Sequence, residues 1–192
     1  MESASPEPSR SRPTTDATGT AVQGPAAAGD DPRRPHAALD TSTHTVTVID
    51  EQRLPIDTSR LTRLAHHVLR RLDVPVELEL SVTCVDREPI GELNAVHMGK
   101  AGPTDVLAFP IDDVDAVAPG VPGLLGDVVL CPAVAVEQAG DHGRTAETEL
   151  DLLLVHGVLH LLGHDHASAD EQERMFGLTD DLLAAFAAGG SR

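Results

Sequence analysis

One stretch limits the fold of this chain more than any other: residues 144–163, RTAETELDLLLVHGVLHLLG. Acidic residues occupy its first turns, where the helix dipole favours negative charge. Beyond them the segment is apolar on nearly every side of a helix. A helix at a protein surface keeps a polar face, and one without such a face is enclosed by other elements. The stretch therefore reads as a buried central helix around which the remaining elements pack. Gly163 can end it through a left-handed cap.

The rest of the chain supplies those elements. THTVTVID alternates Val46 and Val48 with Thr, as a strand should. In DTSRLTRLAHHVLRRLDV, Leu61, Leu64, Ala65, Val68, Leu69 and Leu72 follow helical spacing. Arg60, Arg63, His67, Arg70 and Arg71 lie mainly on the opposite side, as a solvated face or, more sharply read, a phosphate-tracking stripe. VELELSVTCVD reads as a second strand. DREPIGELNAVHMG reads as a short helix with Leu93 and Val96 toward the core. VLAFP and LGDVVLCP are further strands, and DDVDAVAPGVPG is an acidic loop. PAVAVEQAG is helical. SADEQERMFGLTDDLLAAF opens with Ser168 and Glu171 in capping-box spacing. Residues 1–43, rich in Pro, Ala, Ser, Thr and Gly, lack apolar periodicity and are expected to be a disordered tail before one domain over 44–192.

Aromatic residues are scarce, with three Phe and no Tyr or Trp. Base stacking on aromatic platforms is therefore nearly absent as a way to hold nucleic acid. The formal charge of −17 opposes general adhesion to polyanions or anionic membranes. It leaves room for a nucleic-acid substrate at a locally cationic site. Cys84 and Cys131 form no CxxC and sit in apolar runs, so both read as buried small residues. No apolar run can span a bilayer, and no signal-peptide core is seen. The expected setting is cytoplasmic.

Within the central helix and just past it lies HGVLHLLGHDH, residues 156–166, with four of the ten histidines. His156 and His160 are four apart, so a helix stacks them on one face. Gly163 then stops the helix, and the chain turns through His164 and Asp165. His166 can swing back toward the pair, with His164 as the competing third ligand. Three neutral imidazoles and one water make a tetrahedral zinc site with an open position. The bland alternative is a buried pair satisfied by backbone carbonyls, but a desolvated imidazole pair is costly unless something bridges it. Zinc proteases of the HExxH type need Glu directly after the first histidine. Here that residue is Gly157, which instead allows another backbone or a substrate to approach closely. Asp165 either orients a ligand or caps the turn. His164 is a proton donor, an outer contact or an ordinary exposed histidine.

This pattern resembles the YbeY family of metal-dependent endoribonucleases, also called rRNA maturation factors. The family motif is close to H-G-x-L-H-L-x-G-[YH]-D-H, and residues 156–166 match it throughout. The likeness extends to ELNAVHMGKAGPTDVLAFP, LGDVVLCPAVAVEQA and ERMFGL. It implies an α+β fold: a small mixed four-stranded sheet packed by about five helices, with a zincin-like helix carrying the metal site. It implies one zinc ion held by His156, His160 and His166. It also implies cleavage of single-stranded RNA in 16S rRNA 3′-end maturation and ribosome quality control. The implied partners are the 16S precursor, the small ribosomal subunit and the assembly GTPase Era. Two departures matter. Many members carry Arg, thought to face the substrate, where this chain has Met98. Many read LSFP where this chain has Leu107-Ala108-Phe109-Pro110. The grip on RNA is weaker without that Arg unless Lys100 or the Arg60–Arg71 face substitutes for it.

The expected chemistry is phosphodiester cleavage, with the cation offsetting charge as the bond breaks. The nucleophile is either water activated by the metal or the RNA's own 2′-hydroxyl. Free RNA should bind weakly, with productive docking dependent on the ribosome. Two rivals stand beside this reading: a zinc metallopeptidase or other metallohydrolase, and a non-enzymatic ribosome-assembly factor with a structural metal.

Overall fold

The computed structural model describes residues 43–165 and 168–189. The expected tail, 1–43, lies outside these except for Thr43. Four strands, β1 (Val46–Glu51), β2 (Leu78–Val85), β3 (Val106–Pro110) and β4 (Gly123–Leu130), form one mixed sheet in the order β1-β2-β4-β3. β1, β2 and β4 run parallel, and β3 pairs antiparallel with β4 at the edge. Parallel neighbours need crossover connections, and α1 (Thr58–Arg71) supplies the one from β1 to β2. The other helices are α2 (Arg87–Leu93), α3 (Pro132–His142), α4 (Ala146–Leu161) and α5 (Ala169–Gly189).

The alternation of the strands sorts side chains into two clusters. Leu78, Leu80, Val82 and Cys84 of β2 point into the main core, with Leu61, Leu64, Val68 and Leu69 of α1 and much of α4. The opposite sheet face carries a smaller cluster of Val85, Ile90, Leu107, Val129 and Cys131. β3 shows the same division: Val106 and Ala108 pack toward the main core, Leu107 and Phe109 toward the smaller cluster. Each fully buried Leu or Val contributes about 1.5–3 kcal/mol of hydrophobic transfer.

α4 is the buried central helix that its composition requires. Leu150, Leu153, Leu154, Val155, Val158, Leu159 and Leu161 are all buried. Thr145 caps its start, accepting a hydrogen bond from the Thr148 amide at 3.1 Å. Its end is a Schellman motif. The Gly163 amide donates to the His160 carbonyl and the His164 amide to the Leu159 carbonyl, each at 3.0 Å. Gly163 sits at φ 80°, the left-handed conformation that glycine adopts without cost. At the start of α5, Glu171 accepts from the Ser168 amide at 2.9 Å and hydroxyl at 2.7 Å, so the capping box forms.

One expectation fails locally. Val96 does not reach the core and is 77% exposed. After α2 the chain makes a single π-helical turn, Asn94–Met98. Asn94, four residues after the buried Ile90, holds the inward-facing position, and Val96 lies off that face. Asn94 is buried in its place, donating from Nδ2 to the Gly102 carbonyl at 2.9 Å. That bond ties the turn to the loop leading into β3. Both cysteines are buried and free, and burial pushes the Cys84 thiol up to about 12.

Candidate metal centre and cleft

His156 and His160 emerge from α4 on the face that also brings Leu152 and Leu153 to a cleft. Their Nε2 atoms lie 3.1 Å apart, with the rings edge to face at 88°. Two nitrogens bound to one tetrahedral zinc at 2.0–2.1 Å would stand about 3.3 Å apart. The pair therefore fits a shared divalent cation in both donor chemistry and spacing. His166, the third expected ligand, lies outside the described residues. His164 and Asp165 are described and exposed. Neither completes a three-residue ligand set with the pair, and no such set occurs among the described residues.

The histidine pair lies in the wall of a cleft of about 790 Å³. β3 lines another side with Val106, Leu107, Ala108 and Pro110. Asn94, Met98, Lys100, Thr104 and Asp105 come from the π turn and the loop after it. α5 contributes Phe176, whose ring is 6.5 Å from that of His156. Asp105 is held in place: it accepts from the Thr104 hydroxyl at 2.9 Å, the Val106 amide at 2.8 Å and Gln138 Nε2 at 3.0 Å. At the far end stand His142, Arg144 and Glu149. Glu149 is 2% exposed. Arg144 Nη1 donates to its Oε2 at 3.0 Å, and His142 Nδ1 lies 3.2 Å from its Oε1.

Gly157 is explained by packing rather than by substrate access. A Cβ built there would lie 2.7 Å from Val128 Cγ1 and 3.2 Å from Val106 Cγ2. Glycine lets α4 settle onto β4 and β3, which brings the histidines to the cleft. The same contact leaves no room for the glutamate of an HExxH protease. The basic side of α1 contributes nothing to the described cleft lining. Arg60 grips Asp151 and sits 5.3 Å over the Phe186 ring; His67 also meets Phe186, at 5.6 Å. Of the expected substitutes for the missing arginine, Lys100 faces the cleft beside Met98, and the α1 face does not.

The sequence reading missed Arg144, His142 and Glu149. Glu149 was read only as an acid favoured by the helix dipole. Its signal was an acidic residue immediately before the apolar run, five residues after an arginine.

Comparison with known proteins gives a consistent result. The family model described as endoribonuclease YbeY matches residues 47–187. A Thermobifida fusca protein named endoribonuclease YbeY is 49% identical over 144 residues, covering 73% of this chain and 93% of that protein. Proteins of the same name from a Nocardioides strain and from Salinispora tropica are each 46% identical. They cover 74% and 77% of this chain, and 98% and 99% of their own lengths. Among solved structures, the Thermotoga maritima protein TM1509 matches with a TM-score of 0.51 at 24% identity, covering 76% of this chain and 93% of its own. That last match speaks to the fold alone.

Proposed function

The chain belongs to the endoribonuclease YbeY family, and from that premise we propose that it is a single-strand-specific, zinc-dependent endoribonuclease. Its role would be 16S rRNA 3′-end maturation and ribosome quality control, in the cytoplasm. The observation that carries this reading is the convergence of His156 and His160 in a cleft open enough for a polymer. No described helix is long and apolar enough to cross a membrane. The small ribosomal subunit and its 16S precursor are the proposed partners, with the GTPase Era as a further one.

His156 and His160 would hold the zinc from α4, as a zincin-like helix does, and His166 would supply the third imidazole. When bound, the ion supplies charge stabilisation for a phosphodiester as it breaks. The protein's own contribution is placement. The leucines of α4 fix the helix against the sheet, and the Schellman turn fixes where the chain leaves it. β3 forms another wall, along which a single strand can lie. The Phe176 ring, 6.5 Å from that of His156, adds an apolar surface at the metal end. We assign to His164 the delivery of a proton to the leaving oxygen, and to Asp165 the orientation of the incoming nucleophile.

The test is a zinc count on purified protein beside a cleavage assay on an rRNA precursor, with casein as the competing substrate, each with and without chelator. The expected result is chelator-sensitive cutting of RNA and intact casein. Casein cleavage would support the metallopeptidase rival, and no cleavage of either would support a structural metal in an assembly factor. The ends produced identify the nucleophile: water leaves a 3′-hydroxyl, the RNA's 2′-hydroxyl a cyclic phosphate.

A further inference from the structure

We propose that Arg144, held by the buried Glu149 carboxylate, is a phosphate-binding residue of the cleft, gripping the backbone of single-stranded RNA at the end away from the histidine pair. The proposal rests on the endoribonuclease reading above and gives that site its backbone contact.

Three observations carry it. The first is the burial of Glu149, 2% exposed on a helix whose buried positions are, apart from it, Asp151 and Gly157, all leucine and valine. Replacing a buried ion pair by apolar side chains is often neutral or stabilising, so stability alone gives little reason to keep one. Such a pair does fix the direction of a guanidinium. The second is how little of that guanidinium the pair consumes. Arg144 gives one bond, from Nη1 to Glu149 Oε2, and Glu149 is its only ion-pair partner among the described residues. The rest of a five-donor fork suited to phosphate oxygens stays available on a side chain that is 41% exposed. The third is position. Arg144, His142 and Glu149 line the same cleft as His156 and His160. Glu149 precedes His156 by about two helical turns, so both lie on one face of α4, roughly 10 Å apart along the axis.

The charge balance favours such a residue. The chain carries −17, and among the described cleft-lining residues only Lys100 and Arg144 are permanently cationic. Lys100 is an exposed point charge on a flexible stem; Arg144 is oriented. Glu149 acts here as a positioning residue, through Arg144.

The experiment is steady-state cleavage of a labelled single-stranded RNA by zinc-loaded full-length protein at several salt concentrations. It compares wild type, Arg144→Gln, Arg144→Lys, Glu149→Gln and the Arg144→Gln/Glu149→Gln double variant, with thermal melting of each. Arg144→Gln should raise KM about tenfold with kcat within about twofold. Its slope of log KM against log salt should become shallower by about 0.7, one phosphate contact on a single strand. Arg144→Lys should keep the wild-type slope with a smaller rise in KM. In the Glu149→Gln background, removing Arg144 should raise KM by much less than tenfold. Unchanged KM and slope in Arg144→Gln, even with a lower melting temperature, would overturn the proposal and leave only a structural ion pair. An equal rise in both backgrounds would overturn the tethering role of Glu149. Absence of RNA cleavage by wild type would instead sink the endoribonuclease reading itself.

Discussion

Glu149 and Asp151 are two buried carboxylates two residues apart on one helix, and they make opposite use of the same chemistry. Both are almost without solvent, at 2% and 4% exposed, and an arginine meets each. Two residues along a helix is more than half a turn, so they face different sides of α4. Asp151 faces α1. Arg60 commits its fork there, with Nε at 2.9 Å and Nη2 at 2.7 Å from Oδ2, and its plane lies over Phe186 of α5. Glu149 faces the cleft and receives one bond from Arg144. The Arg60 pair sets two nitrogens of the fork on one carboxylate and joins three helices. The Arg144 pair, at the wall of the cleft, uses one.

The largest break in this contrast should come from Asp151→Ala. Removing one member of a buried pair costs about 3–5 kcal/mol. The lower end, about 3 kcal/mol, is expected because the Arg60 side chain keeps 30% of its exposure. Urea melts measure the loss, and RNA KM should not change; a shifted KM at unchanged stability would erase the distinction between the two pairs. A smaller effect is expected from Phe186→Leu. Loss of the cation–π contact removes about 0.5–1 kcal/mol, again with no change in RNA binding.

The smallest effect is a pH dependence. Burial pushes the Asp151 carboxyl above its ordinary value, outweighing the lowering by Arg60's hydrogen bond, while that same bond raises Arg60. The two partners point in opposite senses, and Asp151 decides because a guanidinium does not lose its proton in this range. A carboxyl raised by folding binds its proton more tightly in the native state. Its contribution is therefore full below the unfolded value, about 3.9, and is lost as pH rises through the higher folded value. The stability of wild type relative to Asp151→Asn should fall as pH climbs from about 4. A relative stability that grows with pH would show that Arg60 outweighs the burial.

Much of the fold was legible because its signals are local. The alternation of β2, the leucine ladder of α1 and the enclosed composition of α4 each specify an element and its inward face. The histidine spacing was legible for the same reason, since four residues on a helix is one turn. Other features depended on neighbours distant in sequence. Asp151 and Glu149 look like ordinary acids of a first turn until Arg60 and the cleft are placed beside them. Gly157 looks like an opening for substrate until Val128 and Val106 fill the space. Val96 looks like a core residue until Asn94, one turn after Ile90, takes the inward position. The contribution of Lys100 and Arg144 to one groove follows from the packing of α3, α4 and the loop before β3, which no single stretch encodes.

The central claim is that the histidine pair binds a catalytic metal within an RNA cleft, and metal stoichiometry tests it most directly. Elemental analysis of purified wild type, His156→Ala and His160→Ala should give one zinc per wild-type chain and less than about a tenth of that in either variant, with chelator-sensitive RNA cleavage lost in parallel. Full zinc content in either variant, or undiminished cleavage by metal-free wild type, would contradict it.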